Sequence, residues 1–465
     1  MNEVDLLLAE HAPWASRDLT WRLTPLESFL WLDDRPEFPL LFRVDLRFEG
    51  GIDTEAMREA HRFAVGRHPL LRSTIRVDRG VATWHAAATG WQEMALSGAL
   101  SDEPCMEWID LTAEPGLRGW LRQTDIGWDV RLQFHHACCD GQGARMFIQD
   151  LVMAYAVLRK CCEHTTPFLP IDVSHLDRRG RFTGPGAVIT HLRRMRSTLR
   201  LLVPQPRPTA ASQSAVASDR RPRRGLPAAL QPTGLCSHTF QPEVVSRLQD
   251  PQGLDGASFN DVAVAILFRV LGRWQRAHGM SARSWVRITV PVDLRSREDE
   301  RLPASNRYTY LFLNRRVGAC SDWSGLLAGV QAELQAQQQS REGLCLLAML
   351  GIVTRWPRLL HWALRQPFCF STAVLTNLSD PSRRLRKRLP VDADGFFWLA
   401  GARCHDVRVV TPPLRPKTHW GVGLVEYAGR LTVLLRYDAT TIDAQTAERV
   451  KNEFVEALSE WLMRH

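Results

Sequence analysis

A short group of polar and small residues interrupts the apolar pattern of the chain at residues 134–147, FHHACCDGQGARMF. It follows WDVRLQFHH, which reads as a strand, and precedes RMFIQDLVMAYAVLRK, which has the period of an amphipathic helix. The group therefore spans a strand end, a turn and a helix start. Gly141 and Gly143 suit this change of direction, because glycine adopts backbone angles that other residues resist.

The two histidines of this stretch have different expected environments. Adjacent residues at the end of a strand point to opposite faces, so only one of His135 and His136 can face a cleft. Histidine is also the side chain most suited to accept a proton near neutral pH. Asp140 either orients a histidine or forms an ion pair that holds the loop, and a tight turn points it more easily back into the protein.

The chain of 465 residues is too long for one simple core and suits two domains of roughly 200 residues, with a cleft between them. Composition and patterning place one lobe at residues 1–165 and a second at residues 235–465. Between them, residues 166–234 form a crossover rich in proline and arginine.

Both lobes combine strands with helices but lack a regular βαβ alternation. The clearest elements are the strand LLFRVDLRFEG, the helix IDTEAMREAHRFAVGRH capped by Asp53 or Thr54, and a final hairpin turning at residues 428–430. A helical stretch is also expected to run up to Gln366. The pattern predicts an α+β fold with mixed sheets and argues against a barrel or a Rossmann fold.

Positive charge is concentrated in the crossover. The net charge is +9, and twelve arginines lie between Arg178 and Arg224 with a single acid, Asp219. Within this segment GAVITHLRRMRSTLRLLV has the pattern of a basic amphipathic helix. Binding of an acidic partner and a solvated basic linker explain this charge about equally well. Because the sequence has no recognised nucleic-acid-binding motif, we do not expect the protein to bind nucleic acid.

The ten cysteines include no CxxC pair, which favours reduced thiols and predicts neither structural disulfides nor a zinc site. The most apolar stretch, which begins at Cys345, is interrupted by Arg355, Pro357 and Arg358, so no membrane-spanning helix is expected. The acidic amino terminus, MNEVDLLLAEHAPW, is unlike a secretory signal. These features predict a cytoplasmic protein.

His135, His136, Asp140 and Gly141 match the HHxxxDG motif, and on this basis the chain resembles the CoA-dependent acyltransferase superfamily. That superfamily includes condensation domains, wax ester synthases and polyketide-associated acyltransferases. Weaker similarities, in the order that the family shows, extend the resemblance over nearly the whole chain; they are LTPLESFLW, RHPLLRSTI, FNDVAVAIL, VPVDLRSR, ASNRYTY and TNLSDP. Ser379 stands in TNLSDP where relatives have glycine, and the DFGWG motif of plant-type members is absent.

The resemblance implies two lobes, each similar to a chloramphenicol acetyltransferase subunit, with a central tunnel. It implies that His136 is the general base, with His135 beside it, and that Asp140 is structural, paired with Arg295 or, as second choice, Arg72. Gly141 would leave space for the donor.

The donor would be an acyl thioester on CoA or on an acyl or peptidyl carrier protein in trans, with no permanently bound cofactor and no metal. The acceptor would be a small alcohol or, less favoured, an amine. Residues 371–377 or 419–423 would supply the hydrogen-bond donor to the oxyanion.

Two alternatives stay open. The fold could serve as a catalytically silent binding or assembly module, or Cys138 or Cys139 could act as a nucleophile, although burial as small hydrophobic residues suits both thiols better. The sixteen tryptophans and the apolar residues 346–364 suggest lipophilic ligands or a peripheral contact with a membrane, against the simpler reading of core packing, which we favour.

Overall fold

The computed structural model describes residues 2–97, 107–161, 168–181, 233–248, 256–340, 342–366, 369–410, 414–415 and 417–464. The helix predicted in the basic crossover lies outside the described residues. The α-helices of the described chain are α1 Glu3–His11, α2 Pro25–Asp33, α3 Thr54–Arg67, α4 Gly141–Leu158, α5 Pro242–Leu248, α6 Phe259–Ala277, α7 Trp323–Ser340, α8 Glu342–Val353, α9 Pro357–Leu364 and α10 Ala444–Arg464.

The strands form three sheets, and the two larger sheets belong to the two lobes. The strands are β1 Leu19–Arg22, β2 Leu41–Glu49, β3 Ser73–Asp78, β4 Val81–Ala86, β5 Ala95–Leu96, β6 Leu117–Gln123, β7 Gly127–His135, β8 Thr233–Phe240, β9 Trp285–Asp293, β10 Tyr308–Arg316, β11 Ala373–Asn377, β12 Trp398–Leu399, β13 Ala402–Val410, β14 Trp420–Tyr427 and β15 Arg430–Asp438.

The first large sheet has the order β12-β13-β2-β7-β6-β5, and the small sheet β1-β4-β3 lies in the same half of the chain. The predicted strand LLFRVDLRFEG becomes β2, whose alternate residues Phe42, Val44, Leu46 and Phe48 are all buried. Its opposite face is also buried, and there Asp45 pairs with arginines of β2 and β7. Burial on both faces explains why β2 lies in the interior of the sheet rather than at an edge.

The second large sheet has the order β10-β9-β11-β14-β15-β8. β11 runs parallel to both β9 and β14, while the remaining pairs are antiparallel, so the sheet is mixed. The predicted final hairpin is β14–β15, with Ala428 and Gly429 both at positive φ in its turn. The α+β prediction with mixed sheets is confirmed.

The two halves of the chain are interlocked by β12 and β13. These strands come from the second half of the sequence, yet β13 pairs antiparallel with β2 and completes the sheet of the first lobe. The predicted lobe boundary at residue 235 assigns β12 and β13 to the second lobe. The structure places residues 398–410 in the first sheet instead, because pairing with β2 is a long-range contact with no local sequence signal.

The helical stretch predicted up to Gln366 is broken into α8 and α9. The break lies at residues 354–356, immediately before Pro357, and the two helices are bent by 119°. A residue that precedes proline disfavours helical angles, which explains the position of the break. No single helix of the described chain is long and apolar enough to cross a membrane, and α8 with α9 meets that criterion only as a bent pair, by length and composition.

Candidate active site

A cavity of about 500 Å³ lies where the two lobes meet, a volume typical of small-molecule sites. Its wall combines residues of the first sheet, the second sheet and α8–α9. Most of these residues are apolar, and representatives are Phe42, Val44, Pro291, Phe312, Leu346 and Leu350. The cavity therefore suits a lipophilic ligand that is approached by a few polar groups.

His136 lines this cavity just beyond the end of β7. Its ring packs against Phe42 and Tyr308, with centroid distances of 5.3 and 5.4 Å. Burial lowers the pKa of His136 from its ordinary value of 6.5, while its own carbonyl, the negative charge of Asp140 and the side chain of Asn306 offset part of this effect. The imidazole is therefore neutral at neutral pH and available to accept a proton.

His135 points to the other face of β7, as adjacent residues in a strand must. It is fully buried, and its Nδ1 accepts a hydrogen bond of 3.1 Å from the backbone N–H of Ala137. Its Nε2 lies 3.3 Å from Oδ2 of Asp34. Because Nδ1 is an acceptor, the proton resides on Nε2, and His135 supports the loop from behind.

Asp140 is tied to the second lobe by Arg295. The guanidinium donates from Nη1 and Nη2 to the two carboxylate oxygens, each at 2.9 Å. Burial opposes ionisation of Asp140, but Arg295 and the backbone N–H groups of Arg307 and Gly143 hold its pKa below 3.8. The carboxylate is therefore ionised and fully engaged, as a structural rather than a proton-transferring group.

Asp140 also caps α4, because Oδ1 accepts the N–H of Gly143 at 2.8 Å. At Gly143 a Cβ would lie 2.9 Å from Cys139 Cβ and from the backbone N of Ser305, so only glycine fits between the loop and the second lobe. At Gly141 a Cβ would lie 2.7 Å from Leu378 Cδ2. The neighbour that a side chain at Gly141 would meet is the end of the Leu378 side chain, which also lines the cavity.

A segment just before β10 holds the histidine loop. The side-chain amide of Asn306 donates to the carbonyls of His136 and Ala137, at 2.8 and 2.7 Å. The carbonyl of Ser305 accepts from Arg295 at 2.8 Å. These bonds make the position of His136 dependent on correct packing of the two lobes.

The second choice for the partner of Asp140, Arg72, lies elsewhere. It donates to the carbonyls of Ala87 and Trp14 and stacks on Trp91 at 4.8 Å from the ring centroid. Arg72 therefore supports the packing of the first lobe rather than the histidine loop.

Of the two segments expected to stabilise an oxyanion, only one reaches the cavity. Ser371, Thr376 and Asn377 line it, whereas no residue of 419–423 does. The hydroxyl of Ser371 is already hydrogen-bonded, because it donates to the backbone carbonyl oxygen of Ala373 at 2.6 Å. Thr376 and Asn377 are the donors of this segment that remain for a ligand.

Several polar residues of the cavity were not found from the sequence. Arg145 lines it from α4, and Tyr308 lies beside His136. Asp33 and Arg415 form an ion pair of 2.9 Å in the cavity wall. Arg145 follows HHxxxDG on the predicted amphipathic helix, and its place on the polar face of that helix could have identified it. Tyr308, Asp33 and Arg415 are brought together only by the tertiary fold.

Cys138 and Cys139 are fully buried beneath the loop. Burial raises the pKa of both thiols well above 9.0, so neither forms a thiolate near neutral pH. Neither thiol lines the cavity. This geometry argues against the cysteine-nucleophile alternative.

We therefore expect iodoacetamide to leave Cys138 and Cys139 unmodified in the native protein. Cys161 is the internal control, because it is only partly buried and should be alkylated first. Peptide mass spectrometry over a time course of alkylation under native conditions measures the extent of modification of all three cysteines. Modification of Cys138 or Cys139 as fast as Cys161, with parallel loss of activity, would restore the nucleophile alternative.

Any turnover that uses His136 as a base should depend on pH through the neutral form of its ring. Because burial lowers its pKa below 6.5, kcat/KM should be constant around neutrality and fall only as the pH drops through that lowered pKa. The measurement is a profile from about pH 5 to about pH 9, with activity recovered after return to neutral pH. An acidic limb centred above 6.5 would contradict this environment for the base.

No protein-family model matches the chain. The chain is 25% identical to the uncharacterized protein Rv2305 of Mycobacterium tuberculosis, over 92% of this chain and 97% of that protein. It is 30% identical to the isonitrile lipopeptide synthase of the same organism over 180 residues, which are 35% of this chain and 7% of the synthase.

Solved structures give the fold. The first condensation domain of the calcium-dependent antibiotic synthetase, in complex with a substrate analogue, aligns with a TM-score of 0.64 at 16% identity and covers 96% of both chains. The starter condensation domain of rhizomide synthetase in complex with C8-CoA aligns with a TM-score of 0.62 at 14% identity, over 96% of this chain and 95% of the domain.

The X-domain from teicoplanin biosynthesis, solved in complex with OxyB, aligns with a TM-score of 0.57 at 17% identity, over 95% of this chain and 93% of that one. The chain has the fold of these condensation domains and of the X-domain.

Proposed function

We propose that this protein transfers an acyl group from a phosphopantetheine thioester to a hydroxyl group, with an amine as the second candidate acceptor. The observation that carries the proposal is the neutral ring of His136 in the wall of an apolar cavity between the lobes. A base held rigidly in a site of low polarity is suited to proton removal from a bound nucleophile.

The proposed reaction needs one base. The acceptor oxygen attacks the thioester carbonyl carbon while His136 takes the hydroxyl proton. The tetrahedral intermediate then collapses, the carbon–sulfur bond breaks, and the leaving thiolate takes the proton from the imidazolium. Thr376 and Asn377 are the candidate donors to the oxyanion, because both line the cavity.

Arg145 supports a phosphorylated donor. It lines the cavity, and its Nε is buried without a hydrogen-bond partner among the described residues. Burial and the neighbouring Arg384 and Arg295 lower the pKa of Arg145, while Asp293 and Asp380 offset part of this effect. A phosphate group of CoA or of carrier-bound phosphopantetheine would satisfy this guanidinium.

Replacing Arg145 with glutamine should raise KM for acyl-CoA by about tenfold to a hundredfold, the loss expected for one charged hydrogen bond. The matched control is an acyl-N-acetylcysteamine thioester, which lacks phosphate and whose KM should stay unchanged. An equal change in KM for both donors would show that Arg145 does not contact the phosphate.

The test of the function is a panel of acyl-CoAs and acylated carrier proteins incubated with alcohols or amines. Thiol release that depends on the acceptor, together with an ester product identified by mass spectrometry, supports the proposal. Thiol release that is indifferent to every acceptor would indicate simple hydrolysis. Amide formation without ester formation would assign the amine instead.

A binding or assembly module is the second candidate. The observation that favours it is the X-domain, a neighbour in fold that was solved in complex with OxyB. The two candidates differ at His136, because a module would show no acceptor-dependent thiol release whatever the donor. Co-purification of a partner with unchanged strength in a His136→Ala protein would agree with this second candidate.

A further inference from the structure

α8 and α9 expose an apolar surface on the side that faces away from the cavity. Its members Ile352, Trp356, Leu359 and Trp362, here called the outer face, have exposed fractions of 40%, 58%, 62% and 61%. The spacing of Leu359 and Trp362 places both on one side of α9. Soluble surfaces seldom group large apolar side chains so closely, so the outer face indicates a binding surface.

The charge around the outer face is positive. Residues 343–366 contain no acid, and they contribute Arg355, Arg358 and Arg365. Arg355 and Arg358 are exposed and make no ion pair with any residue that the structure describes. Tryptophan and leucine flanked by arginine are typical of helices that lie in the interface of an anionic bilayer.

The opposite side of the same two helices lines the cavity. Leu346 and Leu350 of α8 contribute to its wall, as do Leu360 and Leu364 of α9. Arg365, just after α9, donates to the carbonyl oxygens of residues 32–34 at the end of α2, at 3.3–3.4 Å. Two helices therefore separate the outer face from an apolar cavity, and their end is anchored to the first lobe.

We propose that the outer face of α8–α9 docks on an anionic lipid bilayer, with Trp356, Leu359 and Trp362 inserted at the interface and Arg355 and Arg358 on the lipid phosphates. Docking in this orientation places the apolar cavity directly behind the bilayer surface. The surface is independent of the chemistry at His136, and its test uses no substrate.

The test is co-sedimentation of the full chain with vesicles of phosphatidylcholine, with and without phosphatidylglycerol. The wild-type protein should bind the anionic vesicles more strongly, and the W356S/L359S/W362S variant should bind them at least about tenfold more weakly. The matched control is L6S/V77S/I126S, since these side chains are similarly exposed, at 52%, 55% and 59%, and lie elsewhere. That control should bind as the wild type does.

The arginines are tested in the same assay. The R355Q/R358Q variant should bind anionic vesicles roughly thirtyfold more weakly, at about tenfold per 1.4 kcal/mol and ~1 kcal/mol for each cation near the surface. The control is R76Q/R297Q, which removes two exposed arginines outside the outer face. Equal binding of wild type to neutral and anionic vesicles would overturn the role of these arginines.

A conservative variant locates the contact. W356F/W362F keeps the apolar surface, so it should bind nearly as the wild type does but lose most of the fluorescence quenching by brominated lipids. Wild-type quenching in this variant would place the contact elsewhere and overturn the proposal. Absent vesicle binding by the wild type would also overturn it, and a dimer that dissociates in W356S/L359S/W362S would identify a second copy as the occupant instead.

Discussion

Replacement of His136 by alanine is expected to lower kcat for acyl transfer by about a hundredfold to ten-thousandfold, the usual contribution of a positioned general base. The backbone of the loop should stay in place, because the carbonyl of His136 is held by Asn306 and its N–H donates to the carbonyl of Leu40 at 2.7 Å. The loss should therefore appear in kcat, with little change in KM for the donor.

The matched control is His85→Ala. His85 is a partly exposed histidine on β4, where it pairs with Thr83 and takes no part in the cavity. Both variants are compared with wild type for thermal unfolding and for binding of acyl-CoA. Wild-type turnover by His136→Ala would rule out this base, whereas an equal loss in His85→Ala would show that the effect is not specific to the site.

Replacement of Asp140 by alanine is expected to reduce the free energy of unfolding by about 3–5 kcal/mol, the usual cost of breaking a buried ion pair. Arg295 would then lose both oxygens of its buried partner, and α4 would lose its cap. The measurement is urea denaturation, read as a shift in midpoint at constant slope.

Asp293 offers a control on the same arginine. It contacts Arg295 Nη1 at 3.1 Å but is 43% exposed, so Asp293→Ala should cost only about 1 kcal/mol or less. A double variant, D140L/R295M, should regain part of the stability that Asp140→Ala loses, because no unpaired charge then remains buried. Equal destabilisation by Asp140→Ala and Asp293→Ala would contradict a structural role for this pair.

The local part of the site could be predicted from the sequence. The switch from strand to helix around Gly141 follows from periodicity, and the opposite orientations of His135 and His136 follow from strand geometry. The pairing of Asp140 with Arg295 spans 155 residues and came only from the family resemblance. Sequence spacing by itself carries no information on a contact so distant.

Other features depend on the tertiary fold and escaped prediction. β13 joins the first sheet although its sequence lies in the second half of the chain. Pro357 interrupts the apolar stretch in the sequence, and its effect on the preceding residue also predicts a break in the helical stretch expected up to Gln366. One side of α8 and α9 lines the cavity and the other side exposes apolar residues to solvent. Only the three-dimensional structure assigns the residues of these helices to the two sides.

The central claim is most directly tested by single-turnover mixing of the protein with a radiolabelled acyl thioester and the acceptor identified in the panel. The account predicts that ester forms in step with thiol release in the wild type, that no label becomes covalently attached to the protein, and that His136→Ala slows ester formation by at least about a hundredfold. Ester formation at the wild-type rate in His136→Ala, or an acylated protein that forms before the ester, would contradict it.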